Sequence, residues 1–247
     1  MLFDEPDGIN INKDCGSTHT KKLQEYVRKN KLSAGLAFDG DADRCLAVDE
    51  NGNLVDGDFL IAICANDMMK NGKLKKNTAV GTVMTNMGFS KFCEANGIDF
   101  VSTKVGDRYV LESMLQNDYN IGGEQSGHII FLDHSTTGDG ELSGAMLLSI
   151  MKRTGEKLSD LAKIMERYPQ VLINVKVSNE GKLSFYTDKE VKAEIDRVTE
   201  ILGDTGRILV RVSGTEPLVR VMLEGENLEQ IQTLAEEAAQ VVRERLA

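Results

Sequence analysis

Aromatic residues and proline are scarce in this sequence, and tryptophan is missing. Of its 247 residues, 5% are aromatic and three are proline. The longest uninterrupted apolar run is Phe59 to Ala65, far shorter than the roughly 20 residues needed to cross a bilayer, so we expect no membrane contact. The first residues lack both a basic and an apolar region, so no secretory signal is expected and the predicted location is cytoplasmic.

Positive charge is also in deficit. Lys and Arg number 29 against 39 Asp and Glu, a formal net charge of −10. Such a body repels polyanions, which argues against nucleic acid as a partner, although a few local arginines can still bind a small phosphate. The four cysteines form no CxxC pair and have no histidine at ligand spacing, so neither a zinc site nor a disulfide framework is predicted.

Strands and helices alternate along most of the chain. A buried strand is predicted over 34–38, and the alternation continues to a helix over 158–167, which favours an α/β fold with a largely parallel sheet. Tyr168-Pro169 breaks the pattern, because the residue before a proline avoids the helical region. Beyond it, strands and helices in a different order predict a small α+β domain with an antiparallel sheet, in which Thr187 to Glu190 are predicted to cap a helix.

The segment before residue 55 supplies about two strands and one helix, too little to bury both faces of a sheet. We therefore expect three parts: residues 1–54, which end an incomplete domain, then an α/β domain over 55–167 and the α+β domain over 168–247.

An acidic loop follows the first predicted strand, with Asp39, Asp41 and Asp43 at alternate positions. Three neighbouring carboxylates repel each other unless a cation lies between them, and hard oxygen ligands suit Mg²⁺ or Ca²⁺. Because ligand sites in open α/β sheets lie at the carboxyl ends of strands, we predict a metal site here. A solvated acidic turn is the alternative.

Two further loops carry polar groups. Gly122 to His128 places Glu124 and Ser126 between glycines, a cluster that suits sugar hydroxyls, although His128 is equally well explained as a buried structural histidine. The loop from Arg211 to Arg220 holds two guanidinium groups with nearby hydroxyls and predicts an anion site, against the alternative of a hairpin with surface arginines. A weaker candidate is Lys104, with Arg108, at another strand end; a solvated helix start with Asp107 as its cap is the alternative.

These three loops, in this order, resemble the α-D-phosphohexomutase family over essentially the whole chain. DGDADR is similar to that family's metal-binding loop, GGEQSGH to its sugar-binding loop and RVSGTEPLVR to its phosphate-binding loop. The stretches KVGDRYVLE, GGEQSGHIIFLDHSTTGDG and SGTEPLVRVM narrow the resemblance to isomerases that interconvert glucosamine 6-phosphate and glucosamine 1-phosphate, through a phosphoserine and a bisphosphate, for cell-wall precursors. Members that act on glucose or mannose phosphates remain an alternative.

The resemblance implies a role for each motif residue. The ligands of Mg²⁺ are Asp39, Asp41 and Asp43. Arg44 lies beside the transferring phosphate, while Lys104 and His128 assist proton transfer or neutralise charge. The hexosamine phosphate substrate is bound at its hydroxyls by Glu124 and Ser126. The phosphate that is not being transferred would be bound by five residues of the last loop: Arg211, Ser213, Gly214, Thr215 and Arg220.

One family feature is not found. Members of the family carry a phosphoserine loop of the type TASHNP in a preceding domain, and this sequence has no such motif. We therefore expect a C-terminal fragment whose partner is the missing N-terminal part of the same polypeptide. The fragment alone is predicted to be inactive, whereas the full-length protein is expected to be an intramolecular phosphotransferase. A phosphosugar-binding module without its own nucleophile is the alternative.

Overall fold

The computed structural model describes Glu5 and residues 7–214 and 216–247. Within this described part, no helix is both long enough and apolar enough to cross a membrane. The chain divides into two compact units, one ending at Glu166 and the other spanning Arg167–Ala247.

Helices and strands alternate through the first unit. Its helices are α1 (Lys21–Asn30), α2 (Gly57–Lys70), α3 (Met87–Asn96), α4 (Asp107–Asn117), α5 (Gly140–Thr154) and α6 (Leu158–Leu161). Its strands are β1 (Ala34–Phe38), β2 (Cys45–Asp49), β3 (Leu54–Val55), β4 (Thr78–Thr82), β5 (Asp99–Thr103), β6 (Ile121–Gly123) and β7 (Ile129–Phe131).

These strands form two sheets. The first is antiparallel, in the order β1-β2-β3. The second has the order β5-β4-β6-β7, in which β5 and β6 run parallel to β4 and β7 pairs antiparallel with β6. This mixed arrangement confirms the α/β class predicted from the alternating pattern.

The core of the first unit forms around α2. The apolar run from Phe59 to Ala65 lies in this helix and is buried along its whole length, as expected for a helix that is hydrophobic all round. The side chain of Asp56 begins the helix by accepting a hydrogen bond from the backbone N–H of Phe59. Leu147 and Ile150 of α5 belong to the same buried cluster.

The second unit is a three-stranded antiparallel sheet with helices. Its elements are β8 (Gln170–Lys176), α7 (Asn179–Ser184), α8 (Lys189–Leu202), β9 (Gly206–Val212), β10 (Leu218–Gly225) and α9 (Leu228–Leu246). The strand order is β8-β10-β9, with β10 antiparallel to both neighbours. Apolar residues of the sheet, α8 and α9 form one buried cluster, which confirms the α+β domain expected at this end.

Two local predictions were wrong, and one helix was missed. The helix expected over 158–167 ends at Leu161 and continues only as one 3₁₀ turn, because the chain becomes extended at Met165 and places that side chain in the core. The cap of α8 is Asp188, whose carboxylate accepts from two backbone N–H groups at 3.0 Å each; a charged acceptor at this position is favoured by the helix dipole over the hydroxyl of Thr187. Helix α7 was not foreseen.

Candidate functional site

The acidic loop after β1 gathers its three carboxylates. The loop turns at Ala42, whose φ is +56° and whose N–H donates to the carbonyl of Asp39 at 3.1 Å. As a result, carboxylate oxygens of Asp39, Asp41 and Asp43 all lie within 4.8 Å of one another. A left-handed alanine costs about 1–2 kcal/mol, so the fold accepts local strain to bring these charges together.

Arg44 partly offsets the charge of this cluster. Its backbone N–H donates to Asp39 at 3.2 Å, and its Nε lies 3.6 Å from Asp39 and 3.8 Å from Asp43. Three carboxylates and one guanidinium leave two formal negative charges, and an all-oxygen donor set with that charge fits a hard divalent cation such as Mg²⁺. The buried Nε of Arg44 has no hydrogen-bond partner among the described residues.

His128 joins this cluster from the glycine-rich loop. Its side chain is buried, and its Nδ1 lies 3.0 Å from Oδ2 of Asp43. Its other nitrogen, Nε2, accepts a hydrogen bond of 3.1 Å from the backbone N–H of Gly138. The residue is therefore in contact with the acidic loop, where the resemblance placed it.

Backbone hydrogen bonds hold the glycine-rich loop against the acidic loop. Arg44 and His128 form an isolated antiparallel bridge, and the N–H of Cys45 donates to the carbonyl of Gly127 at 3.1 Å. Gly57, at the start of α2, donates to Gln125 at 3.0 Å. A Cβ at Gly57 would lie 2.1 Å from the carbonyl oxygen of Glu124, so glycine is required where α2 meets this loop.

The other predicted residues of the first unit differ in their surroundings. The carboxylate of Glu124 accepts from the N–H of Gly106 at 3.0 Å, which fixes its orientation. The hydroxyl of Ser126 is buried and has no partner in the described part of the chain. Lys104 is exposed, and its ammonium lies 5.8 Å from the ring centroid of Tyr109; the structure does not bring it to the carboxylates.

The two arginines of the second unit are direct cross-strand neighbours, Arg211 on β9 and Arg220 on β10. Burial lowers the pKa of Arg211, and the positive charge of Arg220 lowers it further. Two close cations on one face of a sheet need an anion, and in this structure Glu216 supplies a carboxylate 2.9 Å from Arg220. The buried Nε of Arg220 has no hydrogen-bond partner among the described residues.

Ser213 and Gly214 begin the turn between these strands. Ser213 is buried, its N–H donates to the carbonyl of Leu218 at 2.8 Å, and its hydroxyl oxygen accepts from the N–H of Glu216 at 3.3 Å. Apart from its chain neighbours, none of the described residues has an atom within 4 Å of a Cβ built at Gly214. Thr215 lies outside the described residues.

Sequence reasoning missed three residues that shape these loops. The N–H of Gly106 bonds the carboxylate of Glu124, and the N–H of Gly138 bonds the ring of His128. Glu216 forms an ion pair with Arg220. The glycines lie in KVGDR and TTGDG, and only their position beside a motif could have signalled a role. Glu216 belongs to the predicted anion loop itself, and its negative charge among basic residues was the available signal.

Two family models match the chain. Residues 56–168 match the model described as phosphoglucomutase/phosphomannomutase, alpha/beta/alpha domain III. Residues 172–241 match the phosphoglucomutase/phosphomannomutase C-terminal domain.

Curated relatives and solved structures agree with these models. The chain is 56% identical over 246 residues to proteins named phosphoglucosamine mutase from Clostridium botulinum and Acetivibrio thermocellus. These matches cover 100% of the chain and 55% of each relative, so the chain spans about half their length.

The fold is similar to that of Aspergillus fumigatus N-acetylphosphoglucosamine mutase in complex with GlcNAc-6P and magnesium. The TM-score is 0.76 at 23% identity, over 95% of this chain and 53% of that one. A phosphoglucomutase/phosphomannomutase family protein from Burkholderia thailandensis gives 0.75 at 19% identity, over 94% and 51%.

Proposed function

The chain belongs to the phosphoglucomutase/phosphomannomutase family, and we propose that it is part of a phosphoglucosamine mutase, which interconverts glucosamine 6-phosphate and glucosamine 1-phosphate. The observation that carries this proposal is the carboxylate cluster of Asp39, Asp41 and Asp43 held beside the loop with Glu124 and His128. The choice of an amino sugar is supported by the name of relatives that are 56% identical over the whole chain.

Asp39, Asp41 and Asp43 would hold Mg²⁺, which neutralises charge on a transferred phosphoryl group when it is bound. A structural relative was solved in complex with magnesium, and the donor set of this chain suits the same ion. Arg44, which lies beside these carboxylates, would contact the phosphoryl group through its guanidinium. This electrostatic positioning is the main source of catalysis in phosphoryl transfer.

The glycine-rich loop would bind the sugar. Glu124, oriented by Gly106, and the unpartnered hydroxyl of Ser126 offer an acceptor and a donor for hydroxyl groups. His128, whose Nδ1 lies 3.0 Å from Asp43 of the carboxylate cluster, would hold a proton there. For Lys104, charge neutralisation remains part of the proposal, although it requires the side chain to leave the ring of Tyr109.

In the second unit, Arg211 and Arg220 would bind the phosphate that is not transferred. Ser213, Gly214 and Thr215 would add hydroxyl and backbone donors. Burial and the neighbouring charge of Arg220 lower the pKa of Arg211, and a phosphate would supply bidentate acceptors for such a pair.

The proposal extends to the whole protein. Its domain division at 54/55 and 167/168 is supported by family models that begin at residues 56 and 172. Its N-terminal part would supply the phosphoserine, since relatives are nearly twice as long. A cytoplasmic location is supported by four free cysteines, because reducing compartments keep thiols unpaired.

The present chain should bind phosphosugar without turning it over. Changing Arg211 to Ala should remove a charge-assisted contact worth about 2 kcal/mol, a loss of roughly thirtyfold in affinity for glucosamine 6-phosphate. Calorimetric titration of the wild type and the variant measures this loss. The matched control is Arg243→Ala, which removes an exposed guanidinium of α9.

Equal affinities in the wild type and Arg211→Ala would refute the phosphate-loop assignment. Turnover by the purified chain would refute the claim that its nucleophile lies elsewhere. Neither Ser126 nor Ser213 has a base placed to activate it among the described residues, so we expect no turnover by the purified chain.

A further inference from the structure

Gly138 lies directly against the imidazole ring of His128. A Cβ built at this glycine would lie 2.5 Å from Cε1 of the ring and 2.6 Å from each ring nitrogen. Its backbone is not in the left-handed region, so the conformation alone does not require glycine. The residue is glycine because the ring occupies the space of any side chain.

The contact also has a chemical direction. Because the N–H of Gly138 donates to Nε2 at 3.1 Å, this nitrogen must present its lone pair, and the proton of the neutral ring is on Nδ1. Nδ1 then donates to the carboxylate of Asp43 at 3.0 Å. In the other tautomer, the N–H on Nε2 would face the N–H of Gly138, and the lone pair of Nδ1 would face the carboxylate of Asp43.

We propose that Gly138 is a positioning residue that acts through His128: its amide fixes the Nδ1–H tautomer, and the imidazole then holds the carboxylate of Asp43 for a divalent cation. The Asp43 side chain is 32% exposed, so it needs such a support to keep one orientation. Partners of this kind, which bond a metal ligand rather than the metal, govern metal affinity. The cation itself rests on the proposed function.

Helix α5 keeps Gly138 in place. Asp139 caps that helix by accepting from the N–H of Leu142 at 2.8 Å. Gly140, its first residue, donates to the carbonyl of Ala42 at 2.9 Å. The segment 138–140 therefore fixes the backbone of the acidic loop on one side and the imidazole on the other, and it is anchored by a helix of 15 residues.

The tautomer can be measured without metal or substrate. Two-bond ¹H–¹⁵N spectra of the chain, recorded above the titration range of an ordinary imidazole, should show His128 as the Nδ1–H tautomer. The exposed His134 provides an internal reference. An Nε2–H ring at His128 would overturn the proposal, and it would do so whether or not the chain belongs to a mutase.

Magnesium affinity tests the consequence. Calorimetry should show binding weakened by about tenfold or more in Gly138→Ala and in His128→Ala. His128→Asn should recover most of the affinity, because an Asn amide N–H can donate near the position of Nδ1–H. The control is Gly155→Ala, which forces an alanine to a φ of +74°, but none of the described residues beyond its chain neighbours has an atom within 4 Å of the new Cβ.

Wild-type magnesium affinity in a folded Gly138→Ala, or in His128→Ala, would contradict the proposal. If Gly138→Ala does not fold, the proposal is still tested by the tautomer of His128 and by the magnesium affinities of His128→Ala and His128→Asn. If the wild type binds no magnesium while His128 is the Nδ1–H tautomer, the metal part of the proposed function fails and the positioning by Gly138 stands.

Discussion

Replacing Glu216 by Gln should tighten the binding of glucosamine 6-phosphate. The carboxylate of Glu216 lies 2.9 Å from Arg220, with the two side chains 53% and 30% exposed. An incoming phosphate must displace this carboxylate, so the attraction between the two residues is subtracted from the affinity. Exposed ion pairs contribute about 0.2–1 kcal/mol, which corresponds to a gain of roughly 1.4-fold to fivefold.

Titration calorimetry at low ionic strength measures this gain, because salt screens exposed charges. The control is Glu236→Gln, whose carboxylate lies 3.9 Å from Arg243 and whose loss changes the net charge by the same amount. Equal affinities in the two variants would show that net charge alone acts. Weaker binding by Glu216→Gln would show that Glu216 shapes the loop and does not compete with the ligand.

Three further predictions concern the fold. Asn120→Ala should lower the free energy of unfolding by about 1–3 kcal/mol, because the buried amide bonds the backbone of two lysines; urea unfolding tests this, with the exposed Asn117→Ala as control. Leu147→Ala should cost about 2–5 kcal/mol in the same assay, since its side chain is fully buried in the core. Native alkylation at neutral pH should label only the half-buried Cys15, because burial raises the thiol pKa from 9.0 to about 12 at the other three cysteines, Cys45, Cys64 and Cys93. Labelling of all four cysteines would refute this prediction. Because the pKa of the three buried thiols is raised, their burial contributes fully to stability below pH 9.0, and this contribution is lost as the pH rises toward 12.

The hydrophobic pattern correctly predicted elements that depend mainly on the local sequence. The strand over 34–38 was confirmed residue for residue, because a short apolar run between polar turns has few alternatives. The end of the helix after 158 was not predicted correctly, because the extended conformation at Met165 follows from burial against residues distant in sequence. The local sequence around Met165 contains no information about that contact.

In the candidate site, too, features set by local spacing were predicted, whereas those set by contacts between distant residues were not. Alternate spacing at a strand end predicted the convergence of Asp39, Asp41 and Asp43, and the structure brings them together; that they bind magnesium stays a prediction. The support of Asp43 by Gly138 could not be predicted, because it depends on α5 placing one amide beside a ring. Lys104 shows the opposite case, in which a plausible spacing is not accompanied by a contact with the carboxylates.

The most direct test of the proposed function is calorimetric titration of the wild-type chain with the 6-phosphates of glucosamine, glucose and mannose under identical conditions. We predict the tightest binding for glucosamine 6-phosphate, with all three weakened about thirtyfold by Arg211→Ala. Tighter binding of the glucose or mannose compound would contradict the assignment to a phosphoglucosamine mutase, and no binding of any of the three would contradict a phosphosugar site in this chain.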